Sequence, residues 1–187
     1  MPILQAGDIF CTANPMWLGK AIMAVERFNA TDNRAEYSHS GIILGPTATT
    51  FEALWTIRRN GLFNSYAGKK ILIGRNLLMT KERYQAGWDK VSDLEGRWYP
   101  FHRLPLNLIP PLAKYFATGK FAVCSELAAK FLVGAGLFEY WKGVNPDHVT
   151  DVIQHYREWI TVFEGILPAT LEELNAIELP MASYERR

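Results

Sequence analysis

The chain has 187 residues, 49% of them hydrophobic and 21% charged, with a formal net charge of +1. That is the make-up of a globular protein with enough apolar material for one core, and it excludes a mostly disordered chain. Arg58-Arg59 and Arg186-Arg187 are too short to form a basic footprint for nucleic acid, so no nucleic-acid partner is expected.

The opening segment, MPILQAGDIFCTANP, lacks a basic stretch followed by an apolar one, which is what a secretory leader needs. No apolar run approaches the length of a transmembrane segment. The expectation is a protein that is cytoplasmic as synthesised. Gly7-Asp8 signals a turn, and Ile9-Phe10-Cys11 after it reads as a strand. Pro15 opens an amphipathic helix over 16–29, with Trp17, Leu18, Ala21, Ile22, Val25 and Phe28 on one face. A polar loop leads to YSHSGIILGPTATTFEALW, where two β-rich runs flank Gly45-Pro46-Thr47-Ala48, a hairpin signal. Arg59-Asn60-Gly61 reads as a further turn, and KKILIGR as another strand. Short connections between consecutive strands favour antiparallel pairing.

The second half reads as helical. Thr80 caps a helix over 80–95. Prolines break the stretch 97–116, RWYPFHRLPLNLIPPLAKYF, which either lines an apolar groove or covers the core. A helix starting at Cys124 stops near Gly134 or Gly136. Asn145-Pro146 opens another over DHVTDVIQHYREW, and LPATLEELNAI holds a short final one. No linker or repeat interrupts the chain, so a single domain over 1–187 is expected, with the tail 160–187 unplaced.

Two cysteines cannot form a disulfide framework, and neither CxxC nor HExxH occurs. Cys124 shares a helical stripe with Leu127, Ala128, Phe131, Leu132 and Ala135, which on periodicity alone makes it a core residue. It also stands at the start of a helix, where unpaired N–H groups and the dipole favour a thiolate and can bind an oxyanion. His39, at the head of a strand, is the candidate base. His102, among prolines and aromatics, is its rival, while His148 and His155 look like loop and helix-surface residues. Glu126 reads as a helix-start carboxylate. Glu52, inside the apolar strand TFEALW, needs a partner. If the loop between the strands is even, of two residues (46–47) or four (46–49), Glu52 and His39 share a face and the carboxylate can orient the imidazole.

GDIF, SHSGIIL, FEAL and CSELAAKFL, in that order over roughly 6–155, resemble the permuted NlpC/P60 papain-like superfamily, and within it the YiiX/YebB-like branch. The resemblance implies an α+β fold, with a small antiparallel sheet or half-barrel packed against the cysteine helix. It implies a Cys124-His39-Glu52 triad: a cysteine hydrolase, of peptidase or amidase type, cleaving an amide, peptide or related acyl bond through a thioester. A small peptide, a peptidoglycan fragment or an N-acyl compound is then the substrate, with no metal or organic cofactor needed. The oxyanion would meet the Cys124 N–H and a second donor, Tyr37 or Ser38. The alternatives are a catalytically silent peptide- or lipid-binding module on the same fold, and a metal site built from the same three side chains. Cys11 is expected to be an inert buried thiol.

Overall fold

The computed structural model describes residues 3–12, 37–98 and 124–177. It shows an α+β fold built on a six-stranded antiparallel sheet. Its elements in chain order are β1 (Ile9–Thr12), β2 (His39–Ile43), β3 (Thr49–Ala53), β4 (Ile57–Gly61), α1 (Leu62–Tyr66), β5 (Lys70–Asn76), α2 (Lys81–Val91), α3 (Cys124–Gly134), α4 (Pro146–His155), β6 (Trp159–Ile166) and α5 (Leu171–Ala176). The sheet order is β4-β3-β2-β1-β5-β6, so β1 lies inside it and β4 and β6 form its edges. Among the described residues no helix is long and apolar enough to cross a membrane.

Side-chain alternation gives the sheet two different faces. Ile9, Cys11, Ile42, Phe51 and Leu72 point to the side where Leu127, Ala128 and Phe131 of α3 and Ile153 of α4 pack. Phe10, Ile43, Ile71 and Ile73 point the other way, against Leu62 and Tyr66 of α1, Val162 and Leu174. Each such fully buried aliphatic or aromatic side chain contributes about 1.5–3 kcal/mol, so both clusters hold the sheet from either side. Helices α2 and α3 approach through glycines. A Cβ on Gly87 would lie 2.8 Å from the Phe131 ring and carbonyl oxygen, and one on Gly134 would lie 2.9 Å from the Ala86 carbonyl.

Local chemistry explains the helix ends. The Thr80 hydroxyl accepts from the Arg83 N–H, Asn145 accepts from the His148 N–H with Pro146 following, and Thr170 accepts from the Glu173 N–H. At the N-terminal turn the buried Asp8 carboxylate takes Arg75 Nε at 2.7 Å and Nη2 at 2.8 Å, pinning GDIF to β5. Burial pushes Asp8 up despite Arg75, so this pair is a structural lock held at the cost of desolvation.

Three expectations change. Arg59-Asn60-Gly61 is not a turn but the end of β4. The chain reverses earlier, at Leu54–Thr56, without glycine or proline. An edge strand tolerates the polar run because Arg58 and Arg59 are exposed. The helix after Pro146 stops at His155, and Trp159 already belongs to β6. Much of the unplaced tail is thus a strand hydrogen-bonded along all of β5, followed by α5. The helix expected over 16–29, residues 99–116 of the proline-rich stretch, and His102 lie outside the described residues.

Candidate active site

The hairpin between β2 and β3 sets the first contact. Gly41 pairs with Glu52 and Ile43 with Thr50, with residues 45–48 forming the loop. His39, two residues before Gly41, therefore shares a face with Glu52 and stands diagonal to it. Its Nε2 meets Glu52 Oε2 at 2.7 Å, with both side chains fully buried. Gly41 makes the diagonal possible: a Cβ there would sit 2.6 Å from the Phe10 ring and 3.0 Å from Glu52 Cβ.

Glu52 is held on both oxygens. Oε1 accepts from the Thr50 hydroxyl at 2.9 Å and from Asn60 Nδ2 at 3.0 Å. Oε2 accepts from the Tyr66 hydroxyl as well as from His39. Burial opposes the charge on Glu52, but these donors, His39 first, outweigh it and hold the carboxyl down at about 2. Nothing in the sequence flagged Tyr66, at the end of a five-residue helix. Thr50 was findable, since it is two residues from Glu52 on one strand. Asn60 was hidden because RNG looked like a turn.

His39 is also the first residue of β2, opposite Thr12 at the end of β1. Its ring touches Phe10 and Tyr66, each with centroids 6.0 Å away. From the other cluster comes Cys124, at the start of α3, whose thiol points to the Ser38 carbonyl at 4.0 Å. Nδ1 of His39 is buried and closes no well-formed hydrogen bond with a described partner. Burial disfavours both charged forms here, yet the shifts run against burial. The negative Cys124 and its hydrogen bond, then Glu52, lift the imidazole well above its ordinary value. His39, and then the backbone N–H groups of Ser40 and Ser125, hold the Cys124 thiol below its ordinary value. The arrangement favours an imidazolium–thiolate pair.

The rest of CSE holds the helix in place. Ser125 Oγ donates to the Val144 carbonyl at 2.6 Å, and Glu126 Oε1 accepts from the Gly143 N–H at 3.0 Å. Glu126 thus anchors the loop after α3, as a structural carboxylate. Tyr37 donates its hydroxyl to Glu164, and Ser38 donates its backbone N–H to the Thr12 carbonyl. Cys11 is buried, and burial pushes its thiol up to about 12. His148 stacks on Tyr140 and lines a cleft of about 480 Å³ with Asn76 and Trp159. That cleft opens at the Asn76 end of β5, whereas His39 lies level with Ile71 near the other end. His155 is exposed.

No family model and no curated protein matches the sequence. A solved structure does: the crystal structure of metalloprotein yiiX from Escherichia coli O157:H7, at a TM-score of 0.58 and 17% identity, over 88% of this chain and 98% of that one. The fold is YiiX-like. The neighbour is described as a metalloprotein. Among the described residues no three His, Cys, Asp or Glu side chains gather around a common point. His39 stands between Glu52 and Cys124 with Nε2 on the carboxylate, so the three do not converge on one ion. The residues do not fit a metal site of that make-up.

Proposed function

We propose that the protein is a cysteine hydrolase of the permuted papain-like kind, in which Cys124 is the nucleophile, His39 the acid–base and Glu52 its orienting carboxylate. The observation that carries this reading is a buried imidazole bonded through Nε2 to Glu52, whose charge and that of Cys124 favour each other. With Nε2–H on Glu52, the neutral ring presents Nδ1 as base. It takes the thiol proton, and Glu52 stabilises the imidazolium that results. The thiolate adds to the carbonyl of an amide, and the oxyanion forms at the N-terminus of α3. Collapse expels the amine, which takes the proton back from His39, and leaves a thioester on Cys124. Water, activated by the same imidazole, then releases the acid and restores the thiol. Among substrates, this chemistry suits a small peptide, a stem peptide of the cell wall or an N-acyl compound.

The test is intact-mass measurement after incubation with peptide, N-acyl and ester panels. A mass increase equal to the acyl group, present in the parent and absent in Cys124→Ala, supports the reading. Turnover retained by folded Cys124→Ala would reject it. A second reading, a binding module without turnover, is favoured by one observation: Cys124 is only 3% exposed. Specific binding of a panel member with neither acylation nor product would establish that reading instead.

A further inference from the structure

Tyr66 closes α1 with a fully buried side chain that touches both partners of the His39–Glu52 pair. Its hydroxyl donates to Glu52 Oε2, the same oxygen that meets His39 Nε2. Its ring lies over the imidazole with a 31° tilt at 6.0 Å and against Phe10 at 5.4 Å. Thr50 and Asn60 hold only Oε1, so they leave the carboxylate free to swing Oε2 off the imidazole. The Tyr66 hydroxyl supplies the missing constraint.

We propose that Tyr66 is a positioning residue of this site: its hydroxyl fixes the Glu52 carboxylate against Nε2 while its ring fixes the plane of the imidazole. The proposal rests on the hydrolase reading and adds a fourth member to it. A phenol serves better here than a second cation. It stabilises the carboxylate whether or not the imidazole carries a proton, and it does not compete electrostatically with imidazolium. Burial and then the Glu52 charge push the Tyr66 phenol up, so it remains a donor throughout the working pH range.

Among the described residues the charged and titratable groups around it are these. His39 comes from β2 and Glu52 from β3. Arg58 stands opposite Glu52 in the β3–β4 ladder and acts on the phenol by its charge. Lys69, before β5, places Nζ 5.2 Å from the centre of the Tyr66 ring. Cys124 acts from α3. Arg58 is exposed and Lys69 half-buried, so water screens both more than it screens the fully buried donors.

Tyr66→Phe keeps the ring and removes the bond. Two midpoints are read in the parent and in this variant: that of Glu52, by the carbon shift of its carboxyl group, and that of Cys124, by the pH dependence of iodoacetamide labelling. The expected result is a rise in both, of about one pH unit, which lowers Cys124 labelling roughly tenfold below its midpoint. Asn60→Ala provides the contrast. It removes a donor from Oε1, so it should raise the Glu52 midpoint while moving that of Cys124 less than Tyr66→Phe does. If Tyr66→Phe leaves the Glu52 midpoint unmoved, or moves it without moving that of Cys124, the proposal is overturned and Tyr66 is a packing residue. Equal effects of the two variants on Cys124 would overturn it as well. An ordinary thiol midpoint for Cys124 in the parent protein would instead reject the hydrolase reading, whatever the variants do.

Discussion

Cys11 and Cys124 belong to the same apolar cluster, and both are buried free thiols. Burial alone pushes a thiol toward its protonated, unreactive form. Cys11 shows that effect, softened only by a hydrogen bond with Thr150. Cys124 meets the same burial and moves the other way, because His39 and two backbone N–H groups face its sulfur. The lesson is that a charged partner decides a buried cysteine's chemistry. The partner in turn depends on a carboxylate on the far side of the sheet, reached at the first residue of a strand.

Removing the imidazole should break the contrast most completely. In His39→Ala, Cys124 should label as slowly as Cys11, and turnover should fall by about a thousandfold, the usual scale for a lost acid–base. Cys124→Ala should be at background, with no further loss when the two are combined, because the residues act as a unit. Circular dichroism must first show each variant folded, since His39→Ala leaves a buried carboxylate with one donor fewer.

Glu52→Gln comes next, with a loss of roughly a hundredfold: the amide still accepts from the imidazole but cannot stabilise its charge. The same variant has a signature in stability. A carboxyl held at about 2, against an ordinary 4.5, stabilises the fold fully above about 4.5 and loses that contribution as pH falls toward 2. Urea titrations between pH 5 and 2 should therefore fall less steeply for Glu52→Gln than for the parent.

Much of this comparison was legible in the residues. SHSG followed by FEA encoded two positions of equal parity across a short hairpin, and periodicity put Cys124 at a helix start facing the sheet. The cradle around Glu52 was less legible. Asn60 sits in a polar edge strand that reads as a turn, because one side of an edge strand needs no apolar residues. Tyr66 reaches the carboxylate only once α1 has folded back under the sheet, a tertiary contact that no local pattern carries. Strand β6 was missed because the tail fell outside the resemblance. In WITVFEGI the neighbours Val162 and Phe163 are both buried and the register shifts at Ile73-Gly74 of β5, so the alternation of an edge strand is broken.

Gly41→Ala sharpens the comparison through packing. The new methyl group meets the Phe10 ring at 2.6 Å, so the variant should lose about 1–3 kcal/mol in urea unfolding. Because the methyl also presses on Glu52 Cβ, Cys124 labelling should fall as well. The smallest effect belongs to Cys11→Ala. Its thiol packs in the core and bonds only to Thr150, so labelling and turnover at Cys124 should be unchanged, with a stability cost of about 1 kcal/mol.

The imidazolium–thiolate pair is tested most directly by labelling both cysteines in one sample with iodoacetamide from pH 4 to 11, and reading each by peptide mass. If His39 activates Cys124, its labelling should rise to a plateau with a midpoint well below that of an ordinary thiol, while Cys11 stays unlabelled in the folded protein throughout. Equal, slow labelling of the two cysteines, rising only at alkaline pH, would contradict an activated Cys124 and leave the site without a nucleophile.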